Sequence, residues 1–392
     1  MDVYEQALML HEKNRGKLAI QTKVPCENAE DLSLAYTPGV ARPCQKIKED
    51  EENSFIYTNR ANTVAVITDG SAVLGLGNIG AAAGLPVMEG KCLLFKRFAD
   101  IDAFPICLKT QDPDEIINIC KNLEPGLGCI NLEDISAPRC VKIEQQLIKE
   151  MNIPVFHDDQ HGTAIVVLAA LINATRLMHK DPGEYKVVVS GTGAAGSSII
   201  KTLFAYGFKD ILAFDIDGCL NQDDKDSYND LKKELLDYVN LNNEKYASLQ
   251  EGIKGRDIFI GVSAPNLLTK DMVKTMSSKP IIFAMANPVP EISYEDAKAA
   301  NAYIIGTGRS DYPNQINNIL AFPGIFRGAL DAKATKITNA EKIAASKAIA
   351  YLIKDEELRT DYIIPSPFDE RVVKAVAKSV KESCIASGNI RK

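Results

Sequence analysis

Lys186-Val-Val-Val-Ser190, running straight into Gly191-Thr-Gly-Ala-Ala-Gly196, is the stretch that decides the fold. The valine run predicts a buried strand over 186–189, the spacing over 197–206 is helical, and 211–214 is a second short apolar run closed by Asp215. Strand, glycine turn, helix and strand in that order is the context in which Gly-x-Gly-x-x-Gly binds a dinucleotide. Gly191 permits the tight turn, Gly193 lets backbone approach the diphosphate, and Gly196 lets the helix pack closely. Thr192, Ala194 and Ala195 complete the cradle at the positive helix end. Asp215 stands about 20 residues beyond, where the fingerprint places an acid for the ribose hydroxyls. No Arg or Lys adjoins it to meet a 2′-phosphate, so NAD is expected over NADP unless a basic residue arrives from elsewhere in the fold.

The same alternation of short apolar runs and helix-period segments extends outward through the chain and predicts an α/β protein with parallel strands. Strands are expected over 63–68, 91–95, 104–108, 129–132 and 154–156, then over 186–189, 211–214, 257–260, 281–284 and 303–305. Residues 162–178, rich in Ala, Leu and Ile and ending at a turn cluster over 179–183, predict a buried helix joining two halves. The expected division is an N-terminal α/β domain over 1–157 and a Rossmann-type doubly wound parallel sheet with C-terminal helices over 158–392. The polar segment 221–243 predicts an exposed excursion with a helix over 231–239 and no chemistry, and 340–352 and 370–383 predict a closing helix pair.

At 392 residues and 46% apolar content the chain can bury a core of about two domains, which excludes disorder. The balance of 45 basic against 52 acidic residues gives a net charge of −7, and without a long Lys/Arg block nucleic acid is not an expected partner. The longest apolar stretch, 164–172, is too short to span a bilayer, and residues after Met1 lack a signal-peptide pattern, so a cytoplasmic protein is expected. Nine cysteines, widely spaced and without a Cys-x-x-Cys pair, read as reduced core thiols rather than a disulfide framework or a zinc site.

Two acidic pairs follow two of the expected strands, Glu133-Asp134 and Asp158-Asp159. Ligand sites in open α/β sheets lie outside the carboxyl ends of strands, so the pairs can converge on one crevice, and converging carboxylates need a cation. Oxygen-only ligands select Mg²⁺ or Mn²⁺ over zinc. Each pair reads equally as loop charge or helix N-cap. His157 and His161 flank the second pair, but the intervening Asp-Asp-Gln lacks the Glu of a hydrolytic zinc helix, and His161-Gly-Thr163 reads as a helix start. Lys91 opens the expected 91–95 strand; near a metal and buried walls its amine could act as a base, whereas at an edge it would only snorkel. Tyr36 precedes Thr37-Pro-Gly39 on a turn, where ordinary packing is the default.

Tyr36-Thr-Pro-Gly-Val-Ala41, Thr68-Asp-Gly-Ser-Ala-Val-Leu-Gly-Leu-Gly-Asn-Ile-Gly80, Gly90-Lys91, Asn131-Leu-Glu-Asp-Ile135, Phe156-His-Asp-Asp-Gln-His-Gly-Thr163, Met285-Ala-Asn-Pro288 and Phe322-Pro-Gly324 together resemble the malic enzyme family, in its short bacterial-type branch. The stretches occur in family order over most of the chain. The resemblance implies oxidative decarboxylation of (S)-malate to pyruvate and CO₂ with reduction of NAD(P) and a Mg²⁺ or Mn²⁺ requirement, in a homodimer. It further implies Glu133, Asp134 and Asp159 as metal ligands, Lys91 as general base oriented by Asp158, and Tyr36 as general acid. Asn287 and Asn318, the latter ahead of Asn317, match its substrate and nicotinamide contacts. One departure is evident: where long animal-type members carry an arginine for a malate carboxylate, this chain has Ala72 and Val73. Backbone amides of that loop, or a second subunit, are the alternatives for the missing clamp. Two other readings stay open, a malolactic conversion that ends at lactate with NAD bound and a non-catalytic nucleotide-binding module.

Overall fold

The computed structural model describes residues 2–73 and 75–391, and two sheets organise them. The first contains β1 (Thr63–Thr68), β2 (Asp102–Cys107), β3 (Cys129–Leu132) and β4 (Val155–His157), all parallel, in the order β2-β1-β3-β4. β1 is central and buried along its whole length, whereas the edge strand β2 leaves Phe104 exposed and accommodates Pro105, which has no N–H to give to a ladder.

The second sheet contains β5 (Lys186–Ser190), β6 (Asp210–Asp215), β7 (Gly218–Cys219), β8 (Ile258–Gly261), β9 (Ile281–Ala284) and β10 (Ile304–Thr307). Its order is β10-β9-β8-β5-β6-β7, parallel except for the β6–β7 pair. This is the Rossmann-type architecture expected from the sequence. The order reverses beside β5, and the crevice between the carboxyl ends of β5 and β8 is where such sheets take a ligand.

One apolar core serves both sheets. It includes Val64 and Val66 of β1, Phe95, the fully buried run from Ala164 to Ile172, and Val187, Ile258 and Ile281 of the second sheet. The helix Asp158–Met178 is the one described helix long and apolar enough to cross a membrane, and most of it lies inside this core. It begins four residues earlier than the expected 162, because Asp158 and Asp159 occupy the first turn, where the helix macrodipole favours negative charge.

The strand expected over 91–95 is absent; Lys91 lies within the helix Ala81–Ala99. Met88, Lys91, Cys92, Phe95 and Ala99 are buried while Leu93 is exposed, which is a helical stripe rather than an alternation. The short run Cys-Leu-Leu-Phe satisfies both periods, so it could not decide between them. The excursion after β7 holds a shorter helix than expected, Asp230–Leu235, anchored by buried Leu231 and Leu235. The closing pair Asn339–Ala350 and Arg371–Ala386 is present. The helices Val3–Asn14, Ala29–Ala35 and Ala41–Glu49 bury no residue. All nine cysteines are free, but Cys26 and Cys44 are exposed, because they lie on this N-terminal arm rather than in the core.

Phe326 packs edge-on against Phe95 at 5.0 Å and Phe156 at 5.7 Å between centroids, joining the helix Phe322–Asp331 to the helix Ala81–Ala99 and to β4. Phe326→Ala should destabilise the protein by about 3–5 kcal/mol, read as a lowered midpoint in urea denaturation with the slope unchanged. A loss below about 1 kcal/mol would show that this aromatic contact does not hold the halves together.

Candidate active site

Leu132 of β3 pairs with His157 of β4 in parallel register, so the residues that follow each strand emerge side by side. This register brings the two acidic pairs together. One carboxylate oxygen from each of Glu133, Asp134 and Asp159 lies within 4.8 Å of the others, and Glu133 and Asp134 are buried. Asp134 has φ of 54°, the left-handed region that few side chains adopt, and this turns its carboxylate back toward β4. Its backbone N–H donates to Asp159 Oδ2 at 2.8 Å.

Lys91 Nζ completes the cluster from the facing helix, 2.7 Å from Glu133 Oε1 and 2.7 Å from Asp158 Oδ2. Burial would strip this amine of its proton, but Asp158, Glu133 and Asp159 outweigh burial and push its pKa well above the usual lysine range. The Phe322 ring lies 4.5 Å from the same nitrogen. Asn318 Nδ2 donates to Asp158 Oδ2 at 2.7 Å, while the Asn317 side chain only caps a turn by accepting from Ile319 N–H. A Cβ at Gly162 would stand 2.0 Å from Asp158 Oδ1 and 2.9 Å from Asn318 Cβ, so the missing side chain is what admits Asn318 to the cluster. Asp134 Oδ2 and Asp158 Oδ1 are buried without a hydrogen-bond partner.

The loop after β1 supports this corner. Ala72 N–H donates to the Asp134 carbonyl at 2.9 Å, and Ser71 Oγ accepts from Ser136 N–H at 2.9 Å. Asp69 accepts from Ser71 and pairs with Arg139 at 3.3 Å. Amides at Gly70, Ser71, Ala72, Val73, Leu76, Gly77, Ile79 and Gly80 are all spent inside the protein, so these eight cannot supply the carboxylate clamp that the loop lacks as a side chain.

The glycine turn leaves β5 beside the end of β8. A Cβ at Gly191, where φ is 103°, would meet the Val262 carbonyl oxygen at 2.7 Å, and one at Gly196 would meet the Gly191 oxygen at 1.8 Å. Nothing lies within 4 Å of the position a Cβ would take at Gly193, which leaves that face open to a ligand. Thr192 Oγ1 donates to Asp215, at the end of β6. A basic residue does arrive from elsewhere in the fold: Lys232 Nζ reaches Asp215 at 2.9 Å and Asp217 at 3.3 Å from the polar excursion. Although burial works the other way, hydrogen bonds from Lys232 and Thr192 hold the Asp215 carboxyl below its ordinary range.

Two expected residues make no hydrogen bond to this cluster among the described residues. Asn287, after β9, is exposed and donates to the Met285 carbonyl at 3.3 Å. Tyr36 closes the helix Ala29–Ala35 on the N-terminal arm, 66% exposed, and its hydroxyl has no hydrogen bond among the described residues.

The family model described as the malic enzyme N-terminal domain matches residues 15–148, and that of the malic enzyme NAD-binding domain matches residues 160–385. The chain belongs to the malic enzyme family. It is 56% identical over 391 residues to the bifunctional malic/malolactic enzyme of Bacillus subtilis, covering 100% of this chain and 95% of the relative. It is 50% identical to the NAD-dependent malic enzyme of Geobacillus stearothermophilus, covering 100% of this chain and 81% of the relative. The crystal structure of malic enzyme from Pyrococcus horikoshii superposes with a TM-score of 0.96 at 45% identity, covering 100% of this chain and 92% of that one.

Within this malic enzyme fold, sequence reasoning missed Asp69, Ser71, Arg139 and Lys232 as neighbours of the site, along with Glu144, buried behind it against the half-buried His161. The acid after β1 had a usable signal, since Asp69-Gly-Ser directly follows a strand as the two acidic pairs do. Lys232 had none, since it reaches Asp215 only through the path of the excursion.

Burial and the charges of Asp159 and Glu133 push Asp134 up to about 8, and burial pushes Asp158 up to about 6. Unfolded carboxyls titrate near about 4, so the folded ion-free protein keeps protons that the unfolded chain has released, and its stability falls as pH rises from about 4 through 8. A divalent cation held by these carboxylates would bind their deprotonated form and should offset that fall. The Tm gain on adding Mn²⁺ should therefore be larger at about pH 8 than at about pH 5.5; a gain independent of pH would contradict this account of the cluster.

Proposed function

We propose that this chain catalyses the oxidative decarboxylation of (S)-malate to pyruvate and CO₂, using NAD(P) and Mg²⁺ or Mn²⁺. The observation that carries this is the buried corner where Lys91 lies between Asp158 and Glu133, with Asp134 and Asp159 alongside, in a chain matched by both family domains. Three oxygen donors within 4.8 Å and the unpartnered oxygens of Asp134 and Asp158 fit a hard dication. Glu133, Asp134 and Asp159 would hold it, and Gly191, Thr192, Gly193, Ala194, Ala195 and Gly196 would hold the dinucleotide, with Asp215 on its ribose.

When bound, the cation would polarise the C2 oxygen of malate and offset the carboxylate charge that binds the Lys91 proton, and the nicotinamide would supply the hydride acceptor. Lys91 Nζ then takes the C2 hydroxyl proton, oriented by Asp158, whose other ligand is Asn318. Asn318 and Asn287 serve the substrate and the nicotinamide with amides that add no charge. Tyr36 delivers a proton to C3 after CO₂ leaves. In this chain alone it sits on an arm without buried residues, along with exposed Tyr4, Leu8 and Leu34, and a homodimer that covers this arm is the assembly we infer. The reading places the enzyme in the cytoplasm, with the division between halves at residues 157 and 158.

NAD is the proposed preference, because Asp215 disfavours a 2′-phosphate, with Lys232 tempering it. Asp215→Ala should lower kcat/KM for NAD by about tenfold, the scale of one charge-assisted hydrogen bond, and leave NADP unharmed. An unchanged ratio of the two would remove Asp215 from the specificity argument.

Pure protein with malate, NAD and Mn²⁺ should yield pyruvate with stoichiometric NADH, and Lys91→Ala should abolish it. Turnover insensitive to EDTA or to Lys91→Ala would refute the assignment. The name of the Bacillus relative supports a second, malolactic reading. Lactate without net NADH would establish it in place of the first.

A further inference from the structure

Behind the acidic corner lies a second set of buried charges that neither the ligand set nor the proton steps use. Glu144, on the helix Arg139–Glu150, is 4% exposed, and Lys342, on the helix Asn339–Ala350, is 8% exposed. Between them stands His161, in the second turn of the helix that carries Asp158 and Asp159. Glu144 Oε1 accepts from His157 N–H at 2.8 Å, at the last residue of β4, and its Oε2 lies 2.8 Å from His161 Nε2. His161 Nδ1 lies 2.8 Å from Ser198 Oγ, on the helix that follows the glycine turn, and 3.1 Å from Lys342 Nζ.

These contacts fix the proton positions. An ammonium has only donors, so His161 Nδ1 accepts, and Nε2 carries the hydrogen that it gives to Glu144. Glu144 and Lys342 balance one another's charge across a neutral ring. Buried charges held apart by a neutral ring add little net stability over apolar packing, so their use here calls for a reason of geometry.

We propose that Glu144, His161, Ser198 and Lys342 form a positioning brace that fixes the metal-bearing end of β4 and its helix against the dinucleotide helix, setting the distance for hydride transfer. Two of the four contacts act on the acidic corner, through His157 N–H and the imidazole, and a third acts on the helix that begins at the glycine turn. The inference rests on the metal and dinucleotide sites proposed above. A brace of this kind leaves each ligand's affinity intact and slows the step that needs both, since a displacement of about 1 Å costs about 10²-fold in rate.

The test compares Ser198→Ala, His161→Gln and Glu144→Gln with the parent full-length protein. His161→Gln keeps an amide N–H for Glu144 but no acceptor at the Nδ1 position that faces Ser198 and Lys342; Ser198→Ala removes one hydroxyl without changing charge; Glu144→Gln keeps an acceptor for His157 N–H. Mn²⁺ affinity is read by paramagnetic resonance, NADH affinity by fluorescence, and turnover with malate protonated or deuterated at C2. The expected result is a fall in kcat of about tenfold or more in Ser198→Ala and His161→Gln, with both affinities within about threefold of the parent and a larger deuterium effect. Glu144→Gln should lose less than His161→Gln. Should His161→Gln fail to fold, Ser198→Ala and Glu144→Gln decide the matter alone. A fall under about threefold in folded Ser198→Ala, or a fall matched by equal loss of Mn²⁺ or NADH affinity, overturns the brace. A parent that neither binds Mn²⁺ nor oxidises malate overturns the site reading itself, and the brace with it.

Discussion

Mutual repulsion among four carboxylates crowded around one amine is the constraint on which the rest of this structure depends. Glu133, Asp134, Asp158 and Asp159 leave two adjacent parallel strands at the same height, and Lys91 is the nearest cation to meet them. Like charges held a few ångströms apart in a low-dielectric pocket cannot all remain ionised without compensation. The protein answers part of that demand with Lys91 and leaves oxygens of Asp134 and Asp158 unpartnered. The surrounding scaffold is densely packed: most of the helix 158–178 is buried in the shared core, and Phe95, Phe322 and Phe326 pack together beside Lys91.

The loop after β1 shows how the same corner is held from the other side. Eight of its described amides are consumed in closing the loop on itself and on Asp134, which makes it a support for the acidic corner rather than an anion cradle. The dinucleotide turn has the opposite design. Gly191 and Gly196 are filled by neighbouring backbone, while Gly193 faces open space. Close packing on two sides of one short turn and none on the third is what turns a tight connection into a binding surface.

Much of this was legible before the tertiary structure. Strands at 63–68, 129–132 and 281–284 matched to the residue, because buried parallel strands are short β-branched runs bounded by turn residues. The acidic pairs and Lys91 were singled out by type and place. Lys91 was assigned to the wrong element, since four apolar residues in a row fit either a strand or a helix whose outer face is also apolar. The bias of Asp215 toward NAD was read without Lys232, whose approach depends on a polar excursion with little periodicity to predict its path.

By itself, the sequence determined the α/β class, the glycine turn with its acid, and the family, because each is written in residues close together along the chain. Only the tertiary structure decided what lies against what. Lys91 and Asp158 are 67 positions apart, Asn318 and Asp158 are 160, and His161 and Lys342 are 181. Contacts at such separations arise from the packing of one helix between two sheets, and neither periodicity nor propensity at either end records the partner at the other.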